Sequence, residues 1–424
     1  MPDPICGIID IGPVLPLIET REFQALADKR QLGMTYLVFR EAKHTRFAHS
    51  LGSYYRTQTL SNRWFLDGTI NEEERDAMMV YALLHDIGHP AFSHVTEDFC
   101  ELDDDQMTLE IIRGRLKNII DNCGVNSDLV LDLADRKNPL YLGVHDKNLG
   151  AEKLDYLERD GFYTILSRPV GIAYLRDYIY FIEGKMAIDE KVVESALDTL
   201  SFYIKMYKEV YFRKSLVIAQ RMFHKMVYHL ISSGELLRHN LPHMTDSELL
   251  AHMYFSKDKL VVKFYAYLRE RKIFKEGIVI RSEEFAGQTR VAGKNIMVLG
   301  ISQKDMQKIV NCEALQKSNQ EKLEALENKI ADVVELPRDS VLVVPVFNPE
   351  RFQLKDVMVY GSDKALHSLR EWRPENFHGM EGTARSYSAL RICTPEKYRK
   401  IISSPEISAK IFEIILSVTN DLST

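Results

Sequence analysis

The sequence is poor in cysteine, with five in 424 residues, and poorer still in tryptophan, with two. Cys6, Cys100, Cys123, Cys312 and Cys393 are scattered and odd in number, which argues against a disulfide framework or a zinc ribbon and fits reduced thiols. Long apolar runs are also missing. None reaches the roughly 18 residues of a membrane span, and no signal peptide is read at the N-terminus. Nor is there an excess of positive charge: a net charge of -6 sets up no global field for nucleic acid or an anionic membrane. A polyanionic ligand would need local Arg, Lys or a metal. Together these absences lead us to expect a soluble, cytoplasmic protein with no membrane partner, and they do not favour nucleic acid.

What is present suffices for one large core or two smaller ones, since 45% of residues are hydrophobic and 27% charged. Pro2, Pro4, Gly7, Gly12, Pro13 and Pro16 make a turn-rich lead-in, and helical periodicity follows from Thr20 to Leu32 until Gly33 closes it. Another helix is expected through Arg63, with Arg46 and His49 three apart on one face. Thr108 is placed to cap a helix over Leu109 to Cys123. A long helical stretch from Lys191 to Leu237 carries Met and aromatic stripes of the kind that build cores. Near Ile273 the texture changes. Strands are expected at Gly277 to Arg281, Asn295 to Gly300, Val341 to Phe347 and Leu390 to Cys393, with helical pieces over Gln303 to Val334 and Pro395 to Leu422. The expected fold is mainly α, with an all-helical core over 1–270 and a smaller α+β region over 271–424, regulatory or oligomerising.

Chemistry gathers in Asp76 to His94. An apolar helical run delivers His85 and Asp86 to its C-terminal end, where Gly88 and Pro90 stop it. A helix-end histidine alone could simply meet the last carbonyls. His85, His89 and His94 within one short segment argue for more. Farther on, Lys153, Tyr156 and Asp160 fall on one helical stripe with Glu152 on its margin; taken alone, that stripe reads as a surface salt-bridge ladder. A divalent metal that polarises a phosphoryl oxygen and activates water needs imidazole and carboxylate ligands with positions left open. His49, His85 and Asp86 supply two imidazoles and a carboxylate from two helices. A fourth ligand is expected from a third.

The order His49, then His85-Asp86, then an acidic residue at 152 resembles the HD superfamily of metal-dependent phosphohydrolases. Further segments strengthen the likeness: Asp3-Pro-Ile-Cys-Gly7, Arg30-Gln-Leu-Gly33, His44 to Gly52, His85 to His94 and Lys153 to Asp160. They occur in the order and spacing of the deoxynucleoside triphosphate triphosphohydrolases, a group including bacterial dNTPases and the mammalian SAM-and-HD-domain enzyme, here expected without a SAM domain. The resemblance implies that His49, His85, Asp86 and Glu152 bind a divalent metal (Mn, Mg, Fe, Co or Zn). It implies that Arg46, Lys153, Tyr156 and Arg213 contact phosphate, and that Gln31, Leu32 and Asp160 line the sugar. His89 would face the phosphates, and His94 would transfer protons with Glu97 orienting it. The implied reaction is hydrolysis of a dNTP to deoxynucleoside and inorganic triphosphate, in a homo-oligomer.

Several positions depart from the family pattern. Glu152 stands where the family has Asp, Asp104 aligns with a second catalytic histidine, and Val217 and Arg221 occupy the places of a His and a Tyr near the base. Glu19, Gln24 and Ala27 match the guanine-nucleotide activator site, without its arginine. These departures keep two alternatives open: an HD phosphohydrolase acting on another nucleotide or a nucleic-acid end, and a catalytically impaired nucleotide-binding assembly protein.

Overall fold

The structure, a computed structural model, describes residues 1–289, 291–347 and 354–420, and over these it is predominantly helical. Two compact units alternate along the chain. The first takes 1–210, 237–251 and 354–381; the second takes 211–236, 252–353 and 382–424. A single break at 270 does not describe this division, because segments from both sides of that position enter each unit. No helix among the described residues is long and apolar enough to cross a membrane.

In the first unit, Thr45 caps the helix Arg46–Leu66, its Oγ1 accepting from Ala48 N at 3.4 Å. A reciprocal capping box between Asn71 and Glu74 opens Glu72–Leu84. Residues 77 to 84 of that helix are buried on every side, as expected of a helix running through a core. His85 is its C-cap residue. The next helix begins earlier than its sequence suggests: Asp103 caps Asp104–Ile111 through a box with Gln106. Thr108, expected as the cap, instead accepts from Gly88 N at 3.1 Å and donates to His85 O at 3.2 Å, bracing the end of the His-Asp helix.

Other expectations change with local geometry. Thr20 to Leu32 contains only the short helix Arg21–Ala25, which tightens into a 3-10 turn at Leu26–Asp28. The stretch from Lys191 to Leu237 breaks into Val193–Met206, a wider π-type turn at Tyr207–Tyr211, and Lys214–Ser232. The first unit is also not all-helical. Ile179–Ile182 and Lys185–Asp189 form a hairpin, joined by Glu183 and Gly184 at φ 51° and 75°, the left-handed pair a tight hairpin turn requires. Met358–Tyr360 adds to it in parallel and Leu366–Ser368 closes the sheet.

The second unit holds the expected strands in the order Met297–Ile301, Lys275–Ser282, Ala389–Thr394, Leu342–Val346. Pro345 sits on the last of these, an edge, where its missing N–H costs no central ladder bond. Gln303–Asn311 and Gln320–Val333 contribute Met306, Ile309, Leu323 and Ile330 to a core shared with Ile278, Ile280, Ile392 and Val343. A buried ionic cluster lies beside it. Glu327, fully buried, accepts from Arg221 Nη2 at 2.9 Å and Lys225 Nζ at 2.6 Å. Arg221 also donates to Gln320 Oε1 and Val343 O, so its guanidinium is committed within this unit.

At the end of that cluster, His229 Nδ1 lies 3.1 Å from Asp258 Oδ2 and its Nε2 lies 2.9 Å from Glu324 Oε1. Carboxylates only accept, so both bonds together require the doubly protonated ring. Burial opposes that charge, but the two acids outweigh it and raise the histidine's proton affinity. The sign follows: the clamp's contribution is whole below the unfolded histidine value of about 6.5 and is lost as pH rises through the higher folded value. Thermal melts between about pH 6 and 9 should record that loss, and His229→Gln should flatten it. An unchanged pH profile in the variant would reject the clamp.

Candidate metal centre and active site

His49 projects from the first turn of the first unit's long helix and is 1% exposed. Its Nδ1 lies 2.9 Å from Asp155 Oδ2; the carboxylate can only accept, so Nδ1 carries the proton. His85 Nδ1 likewise donates to Ala82 O at 2.8 Å. Both Nε2 atoms are buried and without a hydrogen-bond partner. They face Asp86, whose oxygens lie 3.7 Å from His49 Nε2 and 3.5 Å from His85 Nε2. His49, His85 and Glu152 each offer one ligand atom, all within 4.8 Å of one another. Imidazoles with Nδ1 tied and Nε2 orphaned beside two carboxylates are what a divalent cation would complete, and these residues fit one.

The support behind His49 is a chain of buried charges. Asp155 accepts from Arg159 Nε at 2.8 Å and Nη2 at 3.0 Å, and from Arg56 Nε at 3.4 Å. Arg159 in turn donates to Asp3 Oδ2 at 2.8 Å, tying in the N-terminal strand pair. Burial opposes ionisation of Asp155, yet Arg159 and His49 hold its carboxyl far below the usual range. Gly52 makes this approach possible, because a Cβ there would collide with Asp155 Oδ1 and Arg159 Nη2.

Asp86 is ionised despite its burial because Arg46 Nη1 donates to its Oδ2 at 2.5 Å, with His89 Nε2 at 3.1 Å from Oδ1. Arg46, itself 2% exposed, donates through Nε to Ser93 Oγ. His89 Nε2 also meets Asp104 Oδ2 at 3.0 Å, so the acid that replaces the family's histidine becomes a partner of His89. His94 is half-exposed, its Nδ1 donating to Glu97 Oε2 at 2.9 Å and its ring 5.2 Å from that of His89. His89, His94 and Asp104 form a second group with ligand atoms within 4.8 Å. The backbone before His94 is strained: Phe92 and Ser93 both take positive φ, 57° and 52°. Asp246 holds this turn by accepting from Phe92 N at 2.7 Å, and Lys29 Nζ binds His89 O at 2.5 Å.

The stripe on Ala151–Ile165 is no surface ladder. Lys153, Asp155, Arg159 and Asp160 are all buried. Lys153 Nζ donates to Lys147 O and sits 3.5 Å from the Tyr203 ring centroid, while burial lowers its pKa to about 7. Tyr156 packs edge-on to His49, ring centroids 6.3 Å apart. Asp160 Oδ1 pairs with His44 Nε2 at 2.8 Å, and the His44 ring stacks on Tyr163. Gln31 N donates to His44 O, with Gln31 Oε1 buried and unpartnered and Leu32 half-buried beside it. The first unit thus gathers His49, His85, Asp86, Glu152, His89, His94, Glu97, Asp104, Arg46, Lys153, Tyr156, Gln31, Leu32 and Asp160. Arg213 and Arg221 belong to the second unit, Arg213 exposed at a helix N-cap and Arg221 in the ionic cluster above.

Comparison with known proteins agrees with this geometry. The HD-domain profile matches residues 46–160 and the HD associated region matches 173–299. The uncharacterized protein YwfO of Bacillus subtilis is 30% identical over 62% of this chain and 64% of its own length. The deoxynucleoside triphosphate triphosphohydrolase SAMHD1 homologue of Dictyostelium discoideum is 26% identical over 51% of this chain and 42% of its own. The matches therefore span about two-thirds or less of these relatives. In fold, the crystal structure of a phosphohydrolase from Bacteroides thetaiotaomicron superimposes with a TM-score of 0.69 at 20% identity, covering 93% of this chain and 99% of that one. With the profile match spanning both halves of the histidine and carboxylate set and the associated region following it, the chain belongs to the HD-domain family.

Proposed function

We propose that the protein hydrolyses deoxynucleoside triphosphates to deoxynucleoside and inorganic triphosphate. The observation that carries the metal dependence is the pair of buried, unpartnered Nε2 atoms of His49 and His85 facing Asp86 and Glu152. Bound there, a divalent ion supplies Lewis acidity to water and phosphoryl oxygen. The chain's own groups do the rest. Arg46 and Lys153 offer charge to a triphosphate in an otherwise acidic protein. The His94–Glu97 pair, half-exposed at the strained turn, is placed to move a proton at Nε2. Gln31 and the His44-oriented Asp160 offer acceptors to a sugar hydroxyl. The likeness to dNTP triphosphohydrolases supports this substrate. As in that resemblance, we expect a cytoplasmic homo-oligomer, to be checked by light scattering.

Incubation with each dNTP, singly and mixed, and Mn²⁺, Mg²⁺, Co²⁺ or Fe²⁺ should release deoxynucleoside and triphosphate in equal amounts. Release of monophosphate or pyrophosphate, or hydrolysis confined to ribonucleotides or cyclic nucleotides, would replace this reading with another HD phosphohydrolase. Tight nucleotide binding with no products under every metal would favour an assembly protein.

A further inference from the structure

Glu152 carries one methylene more than the family's aspartate, and with it one more rotatable bond to be ordered when a ligand geometry is fixed. The surrounding chain answers that. His145 ends the short helix Leu142–His145, and its buried Nδ1 lies 2.5 Å from Glu152 Oε2, an ion-pair contact whose angle falls outside hydrogen-bond geometry. The turn that brings the two together is closed by its own hydrogen bonds. Asp146 Oδ1 accepts from Asn148 N at 2.9 Å and Leu149 N at 2.8 Å, and Gly150 N donates to Asp146 O at 3.1 Å. A Cβ at Gly150 would stand 2.6 Å from Asp146 N, so the backbone folds back too closely for any side chain there. Glu152 itself lies in the first turn of Ala151–Ile165, where the helix dipole favours a carboxylate.

We propose that His145 is a positioning residue for the metal centre, holding one oxygen of Glu152 so that the longer acid presents the other as a ligand in place of aspartate. This rests on the metal site assigned above, but not on the identity of the substrate. Its role is conditional: His145 matters because residue 152 is Glu. Imidazole partners behind ligating groups typically change metal affinity by about 10- to 100-fold.

The test is a double-mutant cycle read by Mn²⁺ titration of the full chain without nucleotide, so that loss of dNTP hydrolysis and loss of positioning register separately. His145→Leu should weaken Mn²⁺ binding by about 10-fold or more. His145→Asn, which can place an amide nitrogen near the Nδ1 position, should recover part of that loss. In a Glu152→Asp background, His145→Leu should change the affinity less than about twofold. Equal losses in the two backgrounds would overturn the proposal, as would no loss with Glu152 present. Melting of each metal-free variant separates these outcomes from a folding defect: a fall in stability with no change in Mn²⁺ affinity also overturns it.

Discussion

Asp86→Asn should abolish stoichiometric metal binding and reduce hydrolysis by at least about 1,000-fold. The amide keeps the shape of the side chain but loses the charge that sits between His49 Nε2 and His85 Nε2. It also removes the carboxylate that Arg46 and His89 share. Arg46 is left with Ser93 Oγ and no acid, and uncompensated burial of such a charge costs roughly 3–5 kcal/mol. Metal analysis of the purified variant, beside circular dichroism to confirm the fold, decides the matter. A folded variant that retains one metal per chain would remove Asp86 from the ligand set.

Asp155→Asn should strongly destabilise the first unit. Asp155 is fully buried and accepts five bonds, from the Cys6 thiol, His49, Arg56 and two nitrogens of Arg159. An asparagine has one acceptor oxygen and turns an NH₂ toward a donor, leaving guanidinium charge unpaired. Breaking a buried pair in this way costs on the order of 3–5 kcal/mol, or roughly 10 °C in Tm for a unit of this size. Because His49 loses the acceptor that fixes its ring, Mn²⁺ affinity should fall about 10- to 100-fold as well. A melting point within about 2 °C of the parent and an unchanged affinity would show that the network does not hold His49.

The difference between those two residues measures what the sequence reveals. Asp86 is legible because a histidine, a carboxylate and a helix stop fall in one short stretch, and because His49 and residue 152 recur at family spacing. Asp155 is one of several acids on a charged helix. The i, i+4 pairing of Asp155 with Arg159 was a usable signal, but periodicity cannot say which face of such a helix is buried. Only the packing of Gly52 against that face settles it. His145 lies on a separate short helix, so no spacing rule ties it to Glu152. The Glu183–Gly184 turn between two apolar runs was a readable hairpin signal inside a region expected to be helical. Arg221, expected near the base, shows the opposite limit: its residue type suggests a ligand contact, and its burial beside Glu327 in the second unit is purely a matter of tertiary structure.

The ion-pair chain from Asp3 through Arg159 and Asp155 to His49 also has a kinetic meaning. Asp3 and Arg159 are 156 positions apart, and His49 and Asp155 are 106 apart. Closing such long loops comes late in folding, after local helices have formed. During synthesis, the first residues of the chain must wait for the helix Ala151–Ile165 before they find their partner. Metal would therefore be acquired only after the helix Ala151–Ile165 has packed against the helix that carries His49, not used as a nucleus for that packing, and loss of the Asp3 carboxylate would be felt as slow or incomplete loading of an ion several charges away.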